Sequence, residues 1–108
     1  MSVTLRDAQH LCWKSFRKTS DLLNSERGQV WTPFVATADL LVKEGEIATV
    51  VKNLEACSPP EGSEVKDMLA TRLSHVLYLV FILAEHYGIE LEESFMQTVN
   101  DYMLKFVK

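Results

Sequence analysis

The chain has 108 residues, a formal net charge of −4 from 11 Lys+Arg and 15 Asp+Glu, and 47% hydrophobic residues. This length allows one domain, and the hydrophobic share is too high for a disordered chain. The basic residues are too scattered for the dense basic face that general DNA or RNA binding requires, so we expect no nucleic acid as a partner.

The first predicted helix begins at a recognisable capping signal. Thr4, with Asp7 three residues later, forms an imperfect capping box. Apolar residues then recur at helical spacing: Leu5, Ala8, Leu11, Cys12, Phe16, Leu22 and Leu23. The pattern fades at residues 25–28, where we expect the helix to end.

The second predicted helix begins at Thr32 and Pro33, an N-cap followed by proline at the first helical position. One stripe carries its apolar and small residues: Val35, Ala38, Leu41, Val42, Gly45, Ala48 and Val51. Gly45 in a helix interior costs about 1 kcal/mol relative to Ala, which indicates a close-packing reason. A loop over residues 57–62 ends this helix.

Two further helices complete an all-α chain. Ser63 is a cap for the third helix, which runs to about Tyr87, with Gly88 in the C-terminal position. The fourth begins near Leu91 and has a regular apolar stripe of Leu91, Phe95, Val99, Tyr102, Met103 and Phe106. Four helices with short connections favour a helical bundle.

The run from Val76 to Ala84 is apolar on every face. A helix of this kind has to be surrounded, and one domain of this size is hardly able to surround it, so a second copy is expected. Nine residues are about half of a bilayer span, so no membrane partner is expected.

Cysteine usage and the first residues of the chain predict a cytoplasmic protein. Cys12 and Cys57 are too few for a disulfide framework or a zinc site, which favours free thiols in a reducing compartment. Residues 1–10 show no basic stretch followed by an apolar core, so no signal peptide is expected.

Two segments resemble the MazG-like proteins of the all-α NTP pyrophosphatase superfamily. Residues 45–48, GEIA, are similar to that family's GELA stretch, and residues 76–95 resemble its helix-turn-helix run, typically DVLYYLLLLADRLGIDLEEAF. The resemblance covers about residues 31–106 and is strongest over 73–95. It implies one all-α domain over residues 1–108, a four- or five-helix MazG-like bundle that is completed as a homodimer or homotetramer.

The resemblance also implies a chemistry, the hydrolysis of nucleoside triphosphates to monophosphate and pyrophosphate. The family places an E-x-x-E motif on one helix opposite an E-x-x-D motif on the next. Residues three apart share a helix face, so four carboxylates point into one cleft and hold Mg²⁺. The metal then neutralises phosphate charge and activates a water.

This chain departs from the family pattern at three of those four positions. Aligned with the motifs, the positions are Lys43, Glu46, Arg72 and His75. They carry a net charge of +1 in place of −4, because arginine stays protonated. Only Glu46 keeps the carboxylate of the family's metal site, so we expect neither the magnesium mechanism nor a cofactor.

Several interpretations of these positions stay open. Glu46 and Arg72 form a salt bridge that replaces the metal, or Lys43 and Arg72 bind an anion directly. His75 with Glu46 is a weaker transition-metal site, since two protein ligands rarely suffice. An acidic cluster at the start of the third helix is either a solvated, dipole-favourable helix start or a displaced metal site: Glu61, Glu64 and Asp67.

The resemblance suggests a few further ligand contacts. Aromatic residues near the second helix start can line the family's nucleotide pocket, which makes Trp31 a candidate. The family's late Lys, Asn and Arg align with Thr98, Tyr102 and Lys105, of which only Lys105 keeps the charge. The candidate phosphate or nucleotide contacts are therefore Lys43, Arg72, Lys105 and Trp31.

We therefore expect a catalytically degenerate MazG-like protein of the nucleotide pyrophosphohydrolase family that binds a nucleotide or another anion, or acts as a scaffold. One alternative is an active nucleoside triphosphate pyrophosphatase that uses Mg²⁺ on relocated acidic residues. Another is an unrelated helical interaction module, because a fold does not fix a function.

Overall fold

The computed structural model describes residues 2–27, 31–56 and 62–106, and the side chains of these ranges other than 20–27, 62–63 and 106. They form four α-helices and no strand: α1 Leu5–Arg27, α2 Pro33–Ala56, α3 Gly62–His86 and α4 Leu91–Phe106. The predicted all-α class is confirmed. Cys57 and Glu61, in the predicted loop before α3, lie outside the described residues.

Two predicted helix starts are confirmed by their hydrogen bonds. The backbone N–H of Asp7 donates to Thr4 Oγ1 at 3.0 Å, and the backbone N–H of Thr4 donates to the Asp7 carboxylate at 3.3 Å. The backbone N–H of Val35 donates to Thr32 Oγ1 at 3.2 Å, with Pro33 as the first residue of α2. Each cap satisfies a backbone donor that the first helical turn leaves unpaired.

The turn between α3 and α4 is a Schellman motif. Gly88 adopts a left-handed φ of +69°, as the predicted C-terminal glycine requires. The N–H of Ile89 donates to the carbonyl of Ala84 at 2.8 Å, and the N–H of Gly88 donates to that of Glu85 at 3.1 Å. These two bonds satisfy carbonyls at the end of α3.

By its internal contacts the chain divides into two compact units. The first contains residues 1–28 and 81–108, and so holds α1, residues 81–86 of α3 and the whole of α4. The second contains residues 29–80, and so holds α2 and the larger part of α3. No sequence signal predicted this division.

A buried glutamine joins the helices of the first unit. Gln9 on α1 is 2% exposed. Its Nε2 donates to the carbonyl of Ile89 at 2.8 Å and to Glu85 Oε1 at 3.3 Å, and its Oε1 accepts from the N–H of Leu91 at 3.2 Å. One side chain of α1 thus binds the end of α3, the turn and the start of α4.

Two other side chains of α1, Arg6 and His10, contact carboxylates of the same unit. Arg6 Nε lies 2.9 Å from Glu90 Oε2, and His10 contacts Glu85 and Glu90. The hydrogen bond to Glu90, followed by the charges of Glu90 and Glu92, raises the pKa of Arg6. Arg6 and His10 are each about half exposed, so solvent screening limits what these pairs contribute to stability.

The apolar run of α3 is buried in part. Phe81, Ile82 and Ala84 are buried, whereas Leu77 is 50% exposed. A single chain therefore leaves part of the run uncovered, and the expected second copy stays a prediction. By length and composition, Glu64–His86 could also cross a membrane, which is weak evidence because core helices of soluble proteins meet the same criterion. The cytoplasmic location stays a prediction.

The apolar stripe of α2 lies on the exposed side of the helix. Leu41 is 70% and Val42 57% exposed. The buried residues Ala36 and Val50 lie on the opposite side, together with half-buried Leu40, Ile47 and Leu54. Because α2 has apolar residues on both sides, helical spacing alone does not identify the packed one.

The first prediction concerns Gln9. Replacing Gln9 with Leu removes three hydrogen bonds and leaves a buried N–H and carbonyl unsatisfied, so the free energy of unfolding falls by about 2–4 kcal/mol. Urea denaturation followed by circular dichroism measures this loss. Gln97→Leu is the matched control, because the bond of Gln97 to Asp101 lies on the exposed surface of α4, and it changes stability by less than about 0.5 kcal/mol.

The second prediction concerns Cys12. Burial raises the pKa of its thiol, so at a given pH less thiolate is present in the folded chain than in the unfolded chain. In a Cys57→Ser variant, the midpoint of the pH–alkylation profile lies higher for the folded protein than for the same chain in urea. Equal midpoints would contradict this account of the thiol.

Candidate functional site

Four positions singled out from the sequence lie on α2 and α3 in the second unit. Lys43 and Glu46 are three residues apart on α2, and Arg72 and His75 are three apart on α3. Residues at this spacing share a helix face, so each helix presents one pair. The structure brings three of the four into direct ionic contact.

Glu46 is the centre of that contact. Arg72 Nε lies 3.3 Å and Lys43 Nζ 3.8 Å from Glu46 Oε2. The side chains of Lys43, Glu46 and Arg72 are 22%, 36% and 32% exposed, respectively. We call these three residues the ion triad. One carboxylate is shared by two cations, so the triad carries a net positive charge.

The carboxylate oxygen at the centre is held by charge alone. Glu46 Oε2 is itself buried, and among the described residues it accepts no hydrogen bond of good geometry. The Arg72 contact at 3.3 Å therefore lacks the alignment of a hydrogen bond. Leaving a buried oxygen without a partner is costly. If Lys43 or Arg72 leaves Glu46 to bind a ligand, Oε2 therefore has to be satisfied by water or by the cation that remains.

An open pocket of about 270 Å³ adjoins Lys43. Its lining combines an acid, an amine, an imidazole and a phenol with one leucine: Asp39, Lys43, His75, Tyr78 and Leu79. Asp39 and Tyr78 were missed by sequence reasoning. Asp39 lies four residues before Lys43, and Tyr78 lies three residues after His75. Helical spacing from Lys43 and His75 could therefore have identified both residues.

A second open pocket of about 260 Å³ adjoins Arg72 and is lined also by Asp67, Met68 and Thr71. Asp67, from the predicted acidic cluster, thus shares a pocket with a cation. Glu64 is exposed in the first turn of α3. In the described part of the chain, no three His, Cys, Asp or Glu side chains are grouped so that they could hold a metal ion.

The remaining predicted contacts lie elsewhere. Trp31 is half-buried just before α2, in the second unit, and Lys105 is exposed near the end of α4, in the first unit. Thr98 and Tyr102 lie on α4 with Lys105. The ion triad and the pocket beside Lys43 are therefore the site that the structure assembles from the predicted residues.

Comparison of the chain with protein families, with curated proteins and with solved structures finds no match. The argument for a function therefore rests on the residues and their geometry.

The third prediction measures the coupling inside the ion triad. A double-mutant cycle of Arg72→Met and Glu46→Gln gives a coupling energy of about 1 kcal/mol, because both side chains are about one-third exposed and partly screened. Urea denaturation of the four proteins supplies the values. Lys66, an exposed lysine of α3, provides the control: the cycle of Lys66→Met with Glu46→Gln has a coupling near zero. Equal couplings in the two cycles would contradict a specific Arg72–Glu46 pair.

Proposed function

We propose that this chain is a MazG-like protein in which the ion triad replaces the family's metal site, and that it binds a nucleotide phosphate or a similar anion without hydrolysing it. The observation that supports this most is the contact of Glu46 with both Arg72 and Lys43. The one acidic side chain retained at the family's metal positions already has two cationic partners.

The charge of the site argues against Mg²⁺. With neutral His75, the four positions carry a net charge of +1. Each unit charge pair at ~5 Å is worth roughly 3 kcal/mol at an effective dielectric of ~20, and less for partly exposed groups such as these. Two cations in place of two carboxylates turn attractions on a divalent cation into repulsions. Hydrolysis that depends on Mg²⁺ is therefore not supported at this site.

The same charges favour an anion. Lys43 and Arg72 each line an open pocket, so both can donate hydrogen bonds to the phosphate oxygens of a ligand bound there. Asp39 and Asp67 line the same pockets and reduce the positive potential there. We expect modest affinity, and we expect an anion to bind in competition with Glu46 for its two cations.

A scaffold role is the second candidate, and the triad itself is the observation that favours it. If Glu46 pairs permanently with Arg72 and Lys43, the triad is a salt bridge between α2 and α3 and leaves no cation for a ligand. The active-enzyme alternative has less support, because Glu64 and Asp67 belong to no metal-binding group in the described residues.

The fourth prediction separates these functions. With a panel of nucleoside triphosphates and Mg²⁺ or Mn²⁺, the wild-type chain releases no pyrophosphate. ATP raises the melting temperature equally with Mg²⁺ and with EDTA, and Arg72→Ala abolishes the shift. Glu46→Gln tightens ATP binding several-fold, because it removes the carboxylate that competes for the cations. Thermal shift and isothermal titration calorimetry measure both effects.

Different outcomes point to the other functions. Turnover that requires metal and is lost in Glu64→Gln or Asp67→Asn would establish a relocated active site and overturn the proposal. If no nucleotide shifts the melting temperature of the wild type or of Glu46→Gln, the triad is a structural salt bridge. Lys66→Ala is the matched control for Arg72→Ala, since it removes a cation from α3 outside the triad.

A further inference from the structure

The pocket beside Lys43 is lined by three polar side chains that have no partner in the described part of the chain. They are Asp39 on α2 and His75 and Tyr78 on α3, and none of them makes a hydrogen bond or an ion pair with a described residue. Lys43, which lines the same pocket, is paired with Glu46. The three groups can therefore bind a ligand without disturbing the contacts of the ion triad.

Two rings and a leucine give this pocket surfaces for a flat group. Tyr78 and Leu79 are half-buried, and the ring of His75 lines the same space. Phenol and imidazole rings are surfaces on which nucleic-acid bases stack. The pocket has a volume of about 270 Å³. Because sites for larger ligands measure roughly 300–1,000 Å³, this one fits the base of a nucleotide and leaves the phosphates outside.

The order of the groups along α2 matches a base that is joined to phosphates. Asp39 lies four residues before Lys43 and seven before Glu46. The rise of an α-helix therefore separates the backbones of Asp39 and Glu46 by about 10 Å. In a nucleotide the ribose separates the base from the 5′-phosphates. When the phosphates contact the ion triad, the base therefore lies towards Asp39.

The carboxylate of Asp39 discriminates among the bases. An ionised carboxylate only accepts hydrogen bonds, so it selects a base edge that presents two neighbouring N–H donors. Guanine has such an edge, formed by N1–H and the 2-amino group. In adenine and cytosine the amino group lies next to a ring nitrogen that is an acceptor, and in uracil the N–H lies between two carbonyls. Each of these edges places a lone pair against the carboxylate, which is repulsive.

We propose that the pocket beside Lys43 binds the guanine base of a nucleotide whose phosphates contact the ion triad. Asp39 accepts hydrogen bonds from N1–H and from the 2-amino group, and the rings of His75 and Tyr78 contact the face of the base. This inference rests on the proposed anion site and deepens it by naming the base. Because Asp39 is exposed, we expect guanine to be preferred about tenfold, towards the lower end of what a bidentate contact with a base provides.

Isothermal titration calorimetry of the full chain in EDTA measures this preference. GTP binds about tenfold more tightly than ATP, because the two nucleotides carry the same phosphates and differ only in the base. Inosine triphosphate lacks the 2-amino group and keeps N1–H, so its affinity lies between those of GTP and ATP. Binding of all three is abolished in Arg72→Ala, since each depends on the ion triad for its phosphates.

The variant Asp39→Asn changes which base is preferred. The new amide keeps an acceptor for N1–H but places an N–H against the 2-amino group of guanine, so the preference for GTP over ATP is lost. Xanthosine triphosphate has a carbonyl at that position, and it therefore binds Asp39→Asn more tightly than GTP does. Removing a carboxylate strengthens the binding of every nucleotide alike, so the ratio of the two affinities is the quantity to compare. Glu44→Gln, at an exposed glutamate of α2 outside the pocket, is the control and keeps the wild-type ratio.

The failure of guanine recognition is distinguishable from the failure of the anion site. Equal affinities of the wild type for GTP and ATP, both lost in Arg72→Ala, would overturn guanine recognition and leave the anion site supported. A preference for GTP that persists in Asp39→Asn, or that disappears equally in Glu44→Gln, would also overturn it, because the base would then be read elsewhere. If no nucleotide binds the wild type, both proposals are wrong.

Discussion

The position of two charged side chains on α2, a helix with apolar residues on two opposite sides, determines where the candidate site forms. One side carries the buried Ala36 and Val50, and the other carries exposed Leu41 and Val42. A helix that interacts with solvent on one side usually reserves that side for charged residues. Here the charged residues Lys43 and Glu46 lie towards α3, where they meet Arg72. The candidate site thus follows from the side of α2 on which Lys43 and Glu46 lie.

The two units place polar groups in different ways. In the first unit Gln9 is buried, and its amide satisfies a carbonyl, a carboxylate and an N–H where three helix segments meet. In the second unit Glu46 has a buried oxygen without a well-aligned donor and is held by two partly exposed cations. A fully satisfied group fixes one arrangement, whereas an imperfectly satisfied one can exchange partners. This contrast supports a structural role for Gln9 and a ligand-responsive role for the ion triad.

Much of the helical framework could be predicted from local sequence, because caps and C-terminal glycines act over a few residues. Thr4, Thr32 and Gly88 lie at the helix ends as predicted. The meeting of Lys43, Glu46 and Arg72 was anticipated through a family resemblance. The partners of Gln9 were not predicted, because they lie 76–82 residues away and two of its three bonds involve backbone groups, which have no sequence pattern. The packed side of α2 was not predicted, since both sides are apolar.

A crystal structure grown with Mg²⁺ and a nucleoside triphosphate tests the central claim most directly, because it shows at once what the ion triad holds. The account predicts phosphate oxygens on Arg72 and Lys43, with Glu46 displaced from at least one of them and no metal ion bound to its carboxylate. A magnesium ion coordinated by Glu46, or by Glu64 and Asp67, with the triphosphate on that metal would contradict it.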